Sequence, residues 1–157
     1  MVETTEKQTY KREHGILVMK LAVIGAKGQL GSDIVKVLNT DNEVIPLTHD
    51  DMDITEYKAS EEILKDIEPE AVINCAAYVR VDDTEDLAEK AFVVNALGAR
   101  NVALICKKLN ATLLHISTDY VFDGRKNIYN EEDIPNPVYG NSKLAGEYFV
   151  RNTLDKY

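Results

Sequence analysis

The chain has 157 residues, with 27 acidic against 18 basic side chains and a formal net charge of −9. That balance argues against nucleic acid or an anionic membrane as a partner, while the length allows one domain with a sizeable core. Cys75, Cys106, His14, His49 and His115 show no metal-ligand spacing, and no apolar run approaches the ~20 residues of a membrane span, so neither metal, disulfide nor membrane segment is expected and the cytoplasm is the default.

Residues 1–18 read as a polar N-terminal extension, without periodicity and disordered, with Met19 a candidate native start and 19–157 a single domain. Leu21–Gly25 then reads as a strand, Gln29–Asn39 as a helix and Glu43–Leu47 as a strand. Thr55–Ile67 follows as a helix and Ala71–Cys75 as a strand. Asp86–Leu109 reads as one long helix carrying Ala91, Val94, Val102 and Ile105, and Thr112–Ser117 as a strand. Pro135 and Pro137 lie in a loop before a last helix, Tyr139–Asn152. Strands alternating with helices predict a doubly wound parallel α/β sheet of Rossmann type, covered on both faces. The acidic clusters Asp50-Asp51, Asp82–Asp86 and Glu131–Asp133 read as solvated loops and helix starts.

Two motifs carry chemistry. The first is Gly25-Ala26-Lys27-Gly28-Gln29-Leu30-Gly31, set between an apolar strand and an amphipathic helix. Its spacing is G-x-x-G-x-x-G, one residue longer than the dinucleotide form G-x-G-x-x-G. Glycine permits a tight turn and close backbone approach, and a helix N-terminus offers N–H groups to a pyrophosphate. The second is Ser117-Thr118-Asp119-Tyr120-Val121-Phe122-Asp123-Gly124 with Tyr139-Gly140-Asn141-Ser142-Lys143 downstream. Tyr139 and Lys143 are one helical turn apart on a shared face, and a cation beside a phenol favours the phenolate, so the pair suits proton transfer to an oxygen. Gly25, Asn74 and Ser117 each fall at the carboxyl end of a predicted strand, where an open parallel sheet binds its ligand.

Together GAKGQLG, DMDIT, VINCAAYVRVD, AFVVNALGARNVA, HISTDYVFDG and YGNSKLAGE resemble the dTDP-4-dehydrorhamnose reductase family of extended short-chain dehydrogenases/reductases, in the family's order from about Lys20 to Glu147. The resemblance implies reduction of the 4-keto group of a nucleotide-linked 6-deoxy sugar by NAD(P)H, for cell-envelope polysaccharide. It assigns Thr118 to polarising the substrate carbonyl, Tyr139 to proton donation, and Lys143 to the nicotinamide ribose and to tuning Tyr139. Asp119 and Tyr120 would touch the sugar. Gly25, Lys27, Gly28, Gln29, Leu30 and Gly31 would bind the cofactor's phosphates. Asp53 and Ile54 would hold its adenine, although a helix-capping Asp53 reads equally well. Cys75, Ala76, Ala77 and Tyr78 would border the cofactor, and Asn95 would be structural. Lys27 stands to meet a 2′-phosphate against the opposition of Asp50 and Asp51, which weakly favours NADPH over NADH. A homodimer is left open.

Three departures bear on that resemblance. Family chains are roughly twice as long, so the C-terminal substrate-binding part is expected to be missing here. Pro137-Val138-Tyr139 is about two residues short of the usual spacing, which would shift the phenol. Val79-Arg80 stands where the family often has threonine and a small residue. The alternative reading is a non-catalytic NADP-binding module, like the regulatory β subunit of methionine adenosyltransferase, or an inactive fragment. A sugar epimerase is disfavoured because it needs tightly held NAD.

Overall fold

A computed structural model describes residues 12–13, 16–130, 133, 137–155 and 157. The expected tail over 1–11, with His14, Glu131, Glu132 and Pro135, lies outside them. Within the expected extension, strands β1 (Arg12–Glu13) and β2 (Ile16–Leu17) pair antiparallel, so those residues have structure that their polar composition did not announce.

The main sheet has strands β3 (Lys20–Ile24), β4 (Glu43–Leu47), β5 (Ala71–Asn74) and β6 (Thr112–His115), all parallel in the order β4-β3-β5-β6. The first strand lies inside the sheet, with the chain leaving it first to one side and then to the other. The crevice between β3 and β5 is therefore the topological switch point, where such sheets bind ligands. Along the strands, alternate residues face opposite layers. Ala22, Ile24, Val72 and Leu113 join Leu64, Val102, Ile105 and Cys106 in one core cluster. Leu64 comes from helix α2 (Tyr57–Ile67), and Val102, Ile105 and Cys106 come from α4 (Ala99–Leu109), against which α5 (Val138–Thr153) also packs.

Helix α1 (Gln29–Leu38) packs on β3 and β4, and none of its residues joins that cluster. On the strand row opposite to the cluster, Val23 and Ile73 are buried, but Leu114, next in register, is 51% exposed. Helix α1 thus covers the second face at β3 and β4, while Leu114 on β6 stays open on that face.

Element ends shift by one or two residues where backbone hydrogen bonds, rather than hydrophobicity, set the limit. Gly25 leaves β3 with φ +78, and β5 and β6 end at Asn74 and His115 instead of Cys75 and Ser117. Helix α2 begins at Tyr57, not Thr55, because Thr55 is held in a turn by Asp53. The single helix expected over 86–109 starts instead with a 3₁₀ turn (Asp82–Thr84) and then α3 (Ala88–Phe92). It passes through a π-helical segment (Val93–Gly98) before α4. The amphipathic period does not report that change of hydrogen bonding, which often marks functional sites.

Candidate active site

The glycine turn is built by backbone contacts. Gly25 N–H and Ala26 N–H both donate to the Leu47 carbonyl, at 2.9 and 3.1 Å, fixing the end of β3 beside the end of β4. On its other flank, Cys75 N–H donates to the Ile24 carbonyl at 3.0 Å, and a Cβ on Gly25 would lie 2.9 Å from Ala76 N. Gly25 therefore has to be glycine both for its positive φ and for this approach. A Cβ on Gly31 would collide with the Gly25 carbonyl, so helix α1 can start this close only without a side chain there. No side chain caps α1, whose N-cap is Gly28, so its first-turn N–H groups are left to a ligand.

Beside this turn lies a cavity of about 510 Å³, lined by Gly25, Lys27 and Gly28 from the turn and by Cys75, Ala76 and Ala77 after β5. Asp53 and Ile54 line it as well, so eight of the expected cofactor residues meet at one space. Gln29, Leu30, Gly31, Tyr78, Asn95, Tyr139 and Lys143 do not line it. Gln29 and Leu30 are exposed on the first turn of α1, and Gly31 is buried under them. Asp53 accepts hydrogen bonds from Thr55 N–H (2.9 Å) and Thr55 Oγ1 (2.8 Å), so it braces a turn while also facing the cavity. Partial burial raises its carboxyl, but the two hydrogen bonds from Thr55 outweigh this and hold it below the usual range. It is not the helix cap, which falls at Glu56.

His49, Met52, Thr55, Lys90, Val93 and Val94 also line the cavity and were not foreseen. Met52 and Ile54, both buried, flank Asp53 in alternation, a pattern visible in the sequence. Lys90 gave no comparable signal. Its ammonium sits 5.1 Å from the Tyr78 ring centre, a contact that depends on the fold alone.

The second motif assembles on α5 and the loop after β6. Tyr139 and Lys143 are both buried, Lys143 at 2% exposure, and the Lys143 ammonium donates to the Ile116 carbonyl at 2.6 Å. Burial pulls its pKa down to about 8, with Glu147 and Cys75 acting in the opposite direction. Ile116 N–H in turn donates to the Asn74 carbonyl at 3.1 Å, which sets this end of β6 beside the residue before Cys75. The Tyr120 ring meets the Tyr139 ring edge to face, centres 5.7 Å apart. Thr118 accepts a hydrogen bond from Tyr120 N–H (3.3 Å) and donates towards Asp119 Oδ1 (3.3 Å), while the side chains of Asp119 and Tyr120 stay exposed.

Two amides join the halves. Asn95, within the π-helical segment, accepts from Tyr78 N–H (2.7 Å) and donates to the Tyr78 carbonyl (3.1 Å) and Ser142 Oγ (3.0 Å). Asn74 accepts from Ala76 N–H at 3.1 Å, and its amide nitrogen lies 3.2 Å from His115 Nδ1. Burial first and Lys143 second push the His115 pKa down to about 4, keeping the ring neutral. With Nδ1 accepting from Asn74, the proton sits on Nε2, a buried atom without a partner among the described residues. Val79 and Arg80 are exposed, and Arg80 pairs with Asp83 at 3.4 Å.

The profile of the family described as the RmlD substrate binding domain matches residues 19–157. The chain is 40% identical over 139 residues to a dTDP-4-dehydrorhamnose reductase of Mycobacterium tuberculosis, covering 83% of this chain and 45% of that protein. It is 39% identical over 136 residues to the dTDP-4-keto-6-deoxy-D-glucose reductase of Streptomyces niveus, covering 84% and 47%. Among solved structures, a Bacillus anthracis dTDP-4-dehydrorhamnose reductase in complex with NADP superposes with a TM-score of 0.85 at 39% identity, covering 90% of this chain and 52% of that one. The chain thus spans about half the length of the curated relatives it matches.

Proposed function

As this chain belongs to the RmlD substrate binding domain family, we propose that it carries the nicotinamide-binding and proton-donating half of a reductase acting on the 4-keto group of a nucleotide-linked 6-deoxy sugar, converting dTDP-4-dehydrorhamnose to dTDP-rhamnose. One observation carries the reading most directly: buried Lys143, on the helix of Tyr139, donates to the Ile116 carbonyl, and Ile116 N–H donates to the carbonyl of Asn74 (3.1 Å), the residue before Cys75 in the wall of the glycine-turn cavity. Cofactor and acid groups thereby adjoin a single crevice.

The N-terminus of α1 fits a pyrophosphate, because no side chain caps its first-turn N–H groups and Gly28, its N-cap, carries no Cβ. Met52, Asp53 and Ile54 suit the adenine end, two apolar side chains around one polar one. When bound, the reduced nicotinamide supplies hydride to the sugar's C4 carbon. Tyr139 delivers the matching proton to the C4 oxygen, so that ketone becomes alcohol. Lys143, positioned by the Ile116 carbonyl, stabilises the phenolate that this leaves and holds the nicotinamide ribose. The Thr118 hydroxyl donates to the sugar carbonyl, and exposed Asp119 and Tyr120 contact the sugar. NADPH is the weakly preferred donor, supported by Lys27 at the cavity mouth and by the NADP complex of the Bacillus anthracis relative. A cytoplasmic location goes with this reading and agrees with two unbridged cysteines.

Keto-sugar-dependent oxidation of NADPH tests the acid role. Tyr139→Phe should slow it by roughly a hundredfold or more while NADPH binding stays within a few-fold. An unchanged rate would remove Tyr139 from the chemistry.

A further inference from the structure

Helix α5 carries Tyr139, Lys143 and Glu147 one turn apart, a step of ~6 Å along one face. Each of the three meets the loop that follows β6. The Tyr120 ring lies against Tyr139, the Lys143 ammonium donates to the Ile116 carbonyl, and Ser117 Oγ donates to the Glu147 carboxylate. The loop is thereby fastened to the helix at three successive turns, with Thr118 lying between the fastened residues Ser117 and Tyr120. The first two turns carry groups with roles in the reduction. The third carries a carboxylate that none of those roles uses.

Lys143 is buried, so its ammonium has lost most of its water and needs a counter-charge to keep its proton. The titratable groups that face it are the Tyr139 phenol and Glu147 on its own helix, Cys75 after β5 and His115 at the end of β6. Burial raises the Cys75 thiol and lowers His115 to about 4, so both are uncharged near pH 8, where Lys143 titrates. Glu147 is thus the group that brings a negative charge to Lys143 among the described residues. Arg151, one turn further along α5, and Tyr157 border the same cavity as Glu147, Ser117 and His115. Resting on the acid role given above to Tyr139 and Lys143, we propose that Glu147 is a positioning residue, holding Lys143 and the Thr118 loop in one frame with Tyr139. Its carboxylate accepts from Ser117, which fixes the residue before the carbonyl-polarising hydroxyl. The same charge keeps the Lys143 ammonium protonated while the phenolate left by proton donation forms beside it.

NMR titration of isotope-labelled lysine side chains tests this on the chain itself, with Lys143→Arg assigning the resonance and circular dichroism confirming each fold. Glu147→Gln removes the charge while its amide carbonyl still accepts from Ser117, so the tether and the fold are kept. In this variant the Lys143 midpoint should fall from about 8 by about one pH unit, and in Glu147→Asp most of it should be restored. The basic limb of keto-sugar-dependent NADPH oxidation should move down by the same amount. An unchanged Lys143 midpoint in Glu147→Gln would overturn the inference. An equal fall in Glu147→Asp would overturn it too, by marking a structural disturbance instead of a lost charge. No turnover by the unsubstituted chain, with the Lys143 change present, would overturn the reductase reading and leave the pairing of Glu147 with Lys143 standing.

Discussion

The two ends of the crevice are made of different materials. At the β3–β4–β5 end, backbone does the shaping: Gly25 at φ +78, two N–H groups on one Leu47 carbonyl, and a Cys75 N–H on Ile24. At the β6–α5 end, side chains do it: buried Lys143 on a carbonyl, Tyr120 against Tyr139, and the Asn74 amide on the His115 ring. The first end tolerates no added atom, because the clash is with backbone that cannot rotate away. The second depends on charge and protonation, so pH should move it more than bulk does. Recognition of a cofactor common to many substrates suits the rigid end, and proton transfer suits the titratable one.

The largest expected effect probes the rigid end. Gly25→Val adds a β-branched side chain where φ is positive and the Ala76 backbone is in contact. It should cost about 3 kcal/mol of stability, combining left-handed strain with overpacking. A urea midpoint within error of the original would show that the turn relaxes, and the contrast between the two ends would fail.

A smaller effect probes the titratable end. The His115 pKa is depressed from an ordinary 6.5 to about 4, mainly by burial. Between those values the unfolded chain binds a proton that the folded chain refuses. Stability should therefore rise with pH from about 4 to about 6.5 and be fully regained above that. The gain is of order 2 kcal/mol for a group this buried. His115→Gln, which does not titrate, should flatten that segment of the urea-midpoint-against-pH curve. An equal slope in both proteins would assign it to other groups.

What the sequence made legible follows the same division. Backbone constraints leave glycines, so Gly25, Gly28 and Gly31 could be read directly, as could the strand end that carries Asn74, whereas β6 stops at His115, two residues before Ser117. One-turn spacing likewise disclosed Tyr139 and Lys143. Contacts made across the fold left no local trace. Nothing near Lys90 announces its place on Tyr78, whereas the opposition of Asp50 to Lys27, 23 residues earlier, was expected and is met as a direct ion pair. The helical period of 86–109 hid a π-helical segment because Asn95 is satisfied by Tyr78 and Ser142, both distant in sequence. In the motif STDYVFDG, Asp123 accepts from Arg125 N–H (3.0 Å) and the Tyr129 hydroxyl (2.9 Å), with the Tyr129 ring against Phe122, so it shapes its own loop.

The central claim is that a nicotinamide dinucleotide binds where the glycine turn meets the β3–β5 crevice. Titrating NADPH into the chain, with Gly25→Val alongside, tests it most directly. The account predicts saturable one-to-one binding to the unsubstituted chain and none to the variant at the same concentrations. A folded chain that gives no binding heat, or a Gly25→Val variant that binds equally well, would contradict it.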